Sequence, residues 1–125
     1  MIPPTLVSFD LDLSLPVELL SWVAHRMEAE GVPAVVHLPS VDGWVTWSLP
    51  PPEIGALANG AAEAWITQRS GCSGLVTRLV LLDEHGSALA CIDTPRAPGA
   101  AEPVAWRVIL LTALLAARMD GTDVV

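Results

Sequence analysis

Residues 50–71 read PPPEIGALANGAAEAWITQRSG. Three prolines break any extended segment that precedes them, and Gly71 is placed to cap a helix end. Between them Ile54, Leu57, Ala58, Ala61 and Trp65 recur at spacings of three and four, the period of one helix face. Ala56, Gly60 and Glu63 fall on the other side. The stretch therefore predicts an amphipathic helix over residues 53–70. This reading decides the fold, because it fixes how many segments remain to build a sheet.

Upstream, Thr5, Val7, Phe9, Leu11 and Leu13 alternate with Leu6, Ser8, Asp10 and Asp12, the period of a half-buried strand with both aspartates facing water. Ser14 and Pro16 open a helix that runs to about residue 30 and stops at Gly31. Its inner stripe is Leu19, Leu20, Val23, Ala24 and Met27, and Trp22 points to nearly the opposite side. Residues 34–38 and 44–49 read as a hairpin around Asp42-Gly43. Pairing Val41 with Trp44 puts Val36, Leu38, Trp47 and Leu49 on one face and His37 with Ser48 on the other. Pro39 cannot donate to a ladder and argues for an edge or a bulge.

Downstream, residues 75–82 and 87–93 flank Asp83-Glu84-His85-Gly86, a type I turn with glycine set for a bulge. A Pro/Ala/Gly loop leads to a last helix over residues 103–120. The order is β-α-β-β-α-β-β-α. It predicts a single α+β domain over residues 1–125, an antiparallel sheet with its helices on one face. The first six elements match the split βαβ, ferredoxin-like plan. Without the first strand, the element order resembles that of the roadblock dimers and of the small acidic type III secretion chaperones. Residues 36–47, VHLPSVDGWVTW, resemble the first hairpin of CutA-type trimers.

Of 125 residues, 52% are apolar, and the mean hydropathy is +0.51. That exceeds what one small core needs, so the surplus is expected at an interface. The formal net charge is −8, which disfavours nucleic acid and anionic membranes and suits a basic partner. Lysine is absent, and all cations are arginines. The run at residues 108–117 is too short to span a bilayer, and no secretion signal opens the chain. Cys72 and Cys91 are accordingly expected as free thiols in a cytoplasmic protein.

The last helix carries apolar residues on every side. Arg107, Leu111, Leu114 and Arg118 lie along one side with Val104 and Leu115. Trp106, Ile109 and Ala113 lie on the other with Ala105, Ala116 and Ala117. Trp and Arg are enriched in interface hot spots, so Trp22 and Arg26 join Arg107, Leu111, Leu114 and Arg118 as a candidate protein interface. The expected partners are a second copy of the chain, as a homodimer, or a basic or apolar protein.

No motif specifies a reaction, cofactor or metal. Residues 7–14, VSFDLDLS, resemble the nucleophile motif of haloacid-dehalogenase phosphatases, but the chain has neither a lysine nor room for that domain. His25, His37 and His85 lack the spacing of a metal set. The primary reading is a small acidic protein-binding module of chaperone, adaptor, immunity or inhibitor type, acting through an apolar helical surface. The alternative is a small-molecule-binding regulator or small enzyme with a pocket near His37, Asp10 and Asp12.

Overall fold

The computed structural model describes residues 11–49, 51–71, 74–95 and 102–119. Its elements are β1 (Leu11–Leu15), a single 3-10 turn (Val17–Leu19), α1 (Leu20–Ala29), β2 (Ala34–Ser40), β3 (Gly43–Leu49), α2 (Pro51–Asn59), β4 (Glu63–Gly71), β5 (Gly74–Leu82), β6 (Ala88–Asp93) and α3 (Val104–Met119). The fold is α+β. One six-stranded sheet has the order β1-β4-β5-β6-β2-β3, every neighbouring pair is antiparallel, and the helices pack on one face. No parallel pair of the split βαβ kind forms among these strands.

The expected helix over residues 53–70 is two elements. α2 ends at Asn59, where Gly60 N–H donates to the Leu57 carbonyl and Ala61 N–H to that of Ala58. The chain then becomes β4. Ala64 and Ile66 turn into the core, whereas Trp65, Thr67 and Arg69 do not, so the true period there is two. β4 is an inner strand, bonded to β1 on one side and β5 on the other. Those ladders and the packing of Ile66 outweigh the helical preference of the alanines. The sheet therefore gains a strand over the expected order.

Other local expectations fare better. The α1 helix stops at Gly31, whose φ of +65° is the left-handed cap conformation. Val32 N–H reaches back to the Met27 carbonyl at 2.9 Å, as a Schellman closure requires. The turn after β5 closes with Gly86 N–H on the Asp83 carbonyl, and Asp83 Oδ1 accepts from the N–H groups of His85 and Ser87. The first hairpin pairs Ser40 with Gly43 and Pro39 with Trp44, so Val41-Asp42 form its loop. This moves each partner by two residues and keeps the expected faces. Pro39 sits beyond the end of the β2–β6 ladder, which covers only Val35–His37, so no neighbour on that side lacks a donor. The predicted strand over residues 5–13 lies outside the described residues except for its end, which begins β1. Asp10 and Cys72 also lie outside them.

The core gathers Leu15, Val23, Met27, Val36, Ile54, Ile66, Leu79, Leu81 and Ile92 with one face of α3. That face is Trp106, Ile109, Leu110, Ala113, Leu114 and Ala117. The opposite side exposes Val104, Val108, Leu111, Leu115 and Met119. Among the described residues, no helix is long and apolar enough to cross a membrane.

The division of α3 is directly testable. Leu114 is 9% exposed and Leu115 is 58% exposed. Leu114→Ala is expected to cost about 2–5 kcal/mol in urea unfolding. Leu115→Ala should stay within about 0.5 kcal/mol of wild type. Equal losses would mean that the helix is rotated from the orientation described.

Candidate functional site

All the described helices lie on one side, and among the described residues no element covers the other face of the sheet. Strand alternation and register decide which residues stand there. One row runs across all six strands: Ser14, Trp65, Val80, Cys91, His37 and Thr46 are successive cross-strand partners. A cavity of about 320 Å³ opens on this face between His37, Trp44, Arg78 and Cys91. A second, of about 300 Å³, lies beside it and is lined by Asp12, Trp65, Thr67, Arg69, Val80 and Leu82.

The first cavity has a connected polar wall. Arg78 donates from Nε to Asp93 Oδ1 and from Nη2 to Asp93 Oδ2, each at 2.9 Å. His37 Nε2 lies 3.0 Å from the same Oδ2, and His37 Nδ1 lies 3.0 Å from Thr46 Oγ1. The side chain of Asp93 is 15% exposed, that of His37 25% and that of Arg78 42%. The two-pronged guanidinium–carboxylate contact is the strong geometry for such a pair. Its hydrogen bonds raise the Arg78 pKa, against the opposing effect of partial burial. Burial pushes the Cys91 thiol up, with Arg78 pulling the other way, and Cys91 is a free cysteine.

A larger cavity, about 380 Å³, is instead a groove between α1 and α2, lined in part by His25, Glu28, Gly55 and Asn59. Its polar lining residues, Ser21, His25, Glu28 and Asn59, are all exposed. Size alone does not make it the better site.

The residues expected to form a protein interface are scattered. Leu111 and Arg118 are exposed, whereas Leu114 belongs to the core. Arg107 is half-buried with its Nε 3.1 Å from Glu102 Oε1. Trp22 is half-buried against the core, and Arg26 pairs with Glu30 one turn on. His37 stands in the open-face cavity, but Asp12 does not join it. Asp12 is on β1 at the far edge, paired with Arg69 at 2.9 Å. Four strand spacings, about 19 Å, separate β1 from β2. His85 is exposed in its turn. Among the described residues, no group of three or more His, Cys, Asp or Glu side chains is placed to hold a metal ion. Sequence reasoning missed Asp93 and Arg78, whose link to His37 depends on the strand order.

An antiparallel sheet with one helical layer defines the class of architecture. Solved structures share this fold. The chain matches ChuS, the heme-degrading enzyme of Escherichia coli O157:H7, with a TM-score of 0.66 at 21% identity, over 82% of this chain and 35% of that one. It matches apo-PhuS, a heme-binding protein from Pseudomonas aeruginosa, with a TM-score of 0.62 at 18% identity, over 81% of this chain and 34% of that one. It matches ChuX with a TM-score of 0.62 at 12% identity, over 88% of this chain and 78% of that one. The chain thus spans about a third of the length of ChuS and PhuS. No protein-family model matches the sequence, and neither does any curated protein.

These neighbours correct the primary reading from sequence. Among the proteins that share the fold are a heme-degrading enzyme, ChuS, and a heme-binding protein, PhuS, which conflicts with a protein-binding module acting through an apolar helix. The alternative, a small-molecule site, agrees with them better. Of the apolar residues that motivated the first reading, one face of α3 is spent on the core, while Val104, Val108, Leu111, Leu115 and Met119 stay exposed on the other.

The thiol gives a test of the cavity wall. Cys91 has a folded pKa above its unfolded one, so its contribution to stability is fully present below the ordinary thiol range. It is lost as pH rises through that range toward the folded value. In a Cys72→Ser background, native Cys91 should resist iodoacetamide and react on unfolding. The urea midpoint should fall more steeply between about pH 8 and pH 10 than in Cys91→Ala. Rapid native labelling would show that the cavity floor is open to water.

Proposed function

We propose that this chain binds heme on the open face of its sheet. The observation that carries the proposal is the cavity where an imidazole, a thiol, an indole and a guanidinium converge, those of His37, Cys91, Trp44 and Arg78. Heme iron asks for one or two axial donors and not for a cluster, and imidazole and thiolate both serve. Burial holds Cys91 as a thiol, which leaves His37 as the better donor. Trp44, 54% exposed, offers a flat face on which a planar ring can lie. Arg78 stands at the rim, and a guanidinium suits a carboxylate such as a propionate.

The volume of about 320 Å³ falls within the range of ligand pockets, roughly 300–1,000 Å³. The neighbouring cavity continues the platform over Val80 to Trp65. The likeness in fold to ChuS and PhuS supports the reading. Heme would supply the iron, and the chain would hold and orient it. We place this binding in the cytoplasm, which the free, buried Cys91 suits.

Titration with hemin, followed by absorbance, tests the proposal. Wild type is expected to saturate with a shifted absorption band. His37→Ala should bind at least roughly tenfold more weakly, a loss of ~1.4 kcal/mol. His25→Ala and His85→Ala, both outside the cavity, should bind as wild type does. Absence of saturable binding, or equal binding by His37→Ala, would refute the assignment.

A further inference from the structure

We infer that Asp93, clamped by Arg78, fixes His37 in a single tautomer, with its proton on Nε2 and its lone pair on Nδ1, so that Nδ1 is the atom His37 offers to a ligand. The first half rests on hydrogen-bond chemistry alone, and the second half rests on the heme reading above. At neutral pH a carboxylate only accepts. Asp93 Oδ2 accepts from Arg78 Nη2 and faces His37 Nε2 at 3.0 Å, so Nε2 must be the donor. In a neutral imidazole the other nitrogen is then an acceptor. Thr46 Oγ1, 3.0 Å from Nδ1, must turn its hydroxyl hydrogen toward the ring.

The two sides of the ring are not equally replaceable. Asp93 is 15% exposed and tied by two further hydrogen bonds from Arg78. Thr46 is exposed and sits on β3, the edge strand, where its hydroxyl can exchange the ring for water. A ligand can therefore displace Thr46 from Nδ1 far more readily than Asp93 from Nε2. An imidazole that donates its second N–H to a carboxylate is also the arrangement that orients metal-binding histidines and makes them more basic. The remaining ionisable group at the cavity is Cys91, held as a thiol. Asp93 and Arg78 are thus positioning residues, which act through His37.

Nitrogen-15 NMR of histidine-labelled, ligand-free protein at about pH 8 decides the tautomer. The expected spectrum shows a protonated Nε2 and an unprotonated Nδ1 for His37, with Thr46→Val leaving both unchanged. Asp93→Leu should replace the fixed form by an averaged mixture. A proton on Nδ1 in wild type overturns the inference, and that spectrum suffices even where Asp93→Leu does not fold. The same fixed form in folded Asp93→Leu would also overturn it.

Hemin supplies the second arm. Thr46→Val should bind hemin about two- to tenfold more tightly, the worth of one neutral hydrogen bond no longer competing for Nδ1. Unchanged or weaker binding overturns the choice of Nδ1. Failure of wild type to bind hemin removes the heme reading, while the ligand-free spectra still decide the tautomer. The two failures are therefore distinguishable.

Discussion

Thr77 gives both of its backbone groups to the final helix. Its N–H donates to Glu102 Oε2, and its carbonyl accepts from Trp106 Nε1, each at 2.8 Å. The β5–β6 pairing begins two residues further on, at Leu79, so without these bonds Thr77 would carry unpaired groups into a buried position. Trp106 is fully buried and Glu102 is 3% exposed, so the bonds form where water cannot compete. A buried carboxylate is costly unless partnered. The Thr77 N–H supplies one partner, and the Arg107 guanidinium lies close to Oε1 without the alignment of a hydrogen bond. This staple sets where α3 starts on the sheet. From there α3 runs against α1 and β1, and its buried face closes the core. All three helices are committed to that side, and no described element covers the opposite face of the sheet.

Most of this architecture is legible in the sequence, because it follows from local chemistry. The glycine stop of α1, the Asp83–Gly86 turn and the alternation of β5 and β6 depend on residues near one another in the chain. β4 is different. Ala61 and Trp65 complete a helical stripe with Ile54, Leu57 and Ala58, yet Trp65, Ile66 and Thr67 are strand formers in alternation. Either period fits the segment in isolation. The choice is made by β1 and β5, whose ladders occupy both edges of β4. Gly60 was the local sign of a break, since glycine weakens a helix interior and favours its end.

The site is less legible for the same reason. His37 could be placed on a strand facing Thr46 or Ser48 from the hairpin alone. Its other partner, Asp93, is 56 residues away and arrives only because β2 pairs with β6. Arg78 then arrives because β5 is the next strand. Nothing local marks either residue as functional. The opposite error has the same origin. Asp12 and His37 both stand on polar strand faces, but the strand order puts β1 near one edge and β2 near the other. Residue types suggested the pocket, and topology chose its members.

Under the heme reading proposed above, the composition of the open face bears on the shape of the ligand. A sheet face has no deep crevice, and its side chains rise to similar heights from a pleated surface. Here the middle of the face is apolar, with Val80 beside Cys91, and indoles stand to either side at Trp65 and Trp44. Ionic groups flank the middle as neutralised pairs, Arg69 with Asp12 and Arg78 with Asp93. A compact polar ligand would cover few of these groups and would have to separate an ion pair to gain a contact. A flat ring system covers the apolar middle and lies against an indole. It can meet His37 and Arg78 without displacing Asp93, because on the Nδ1 side of the imidazole only the exposed Thr46 hydroxyl has to give way, and part of the guanidinium is exposed. Under the heme reading proposed above, the surface favours planarity first and charge second.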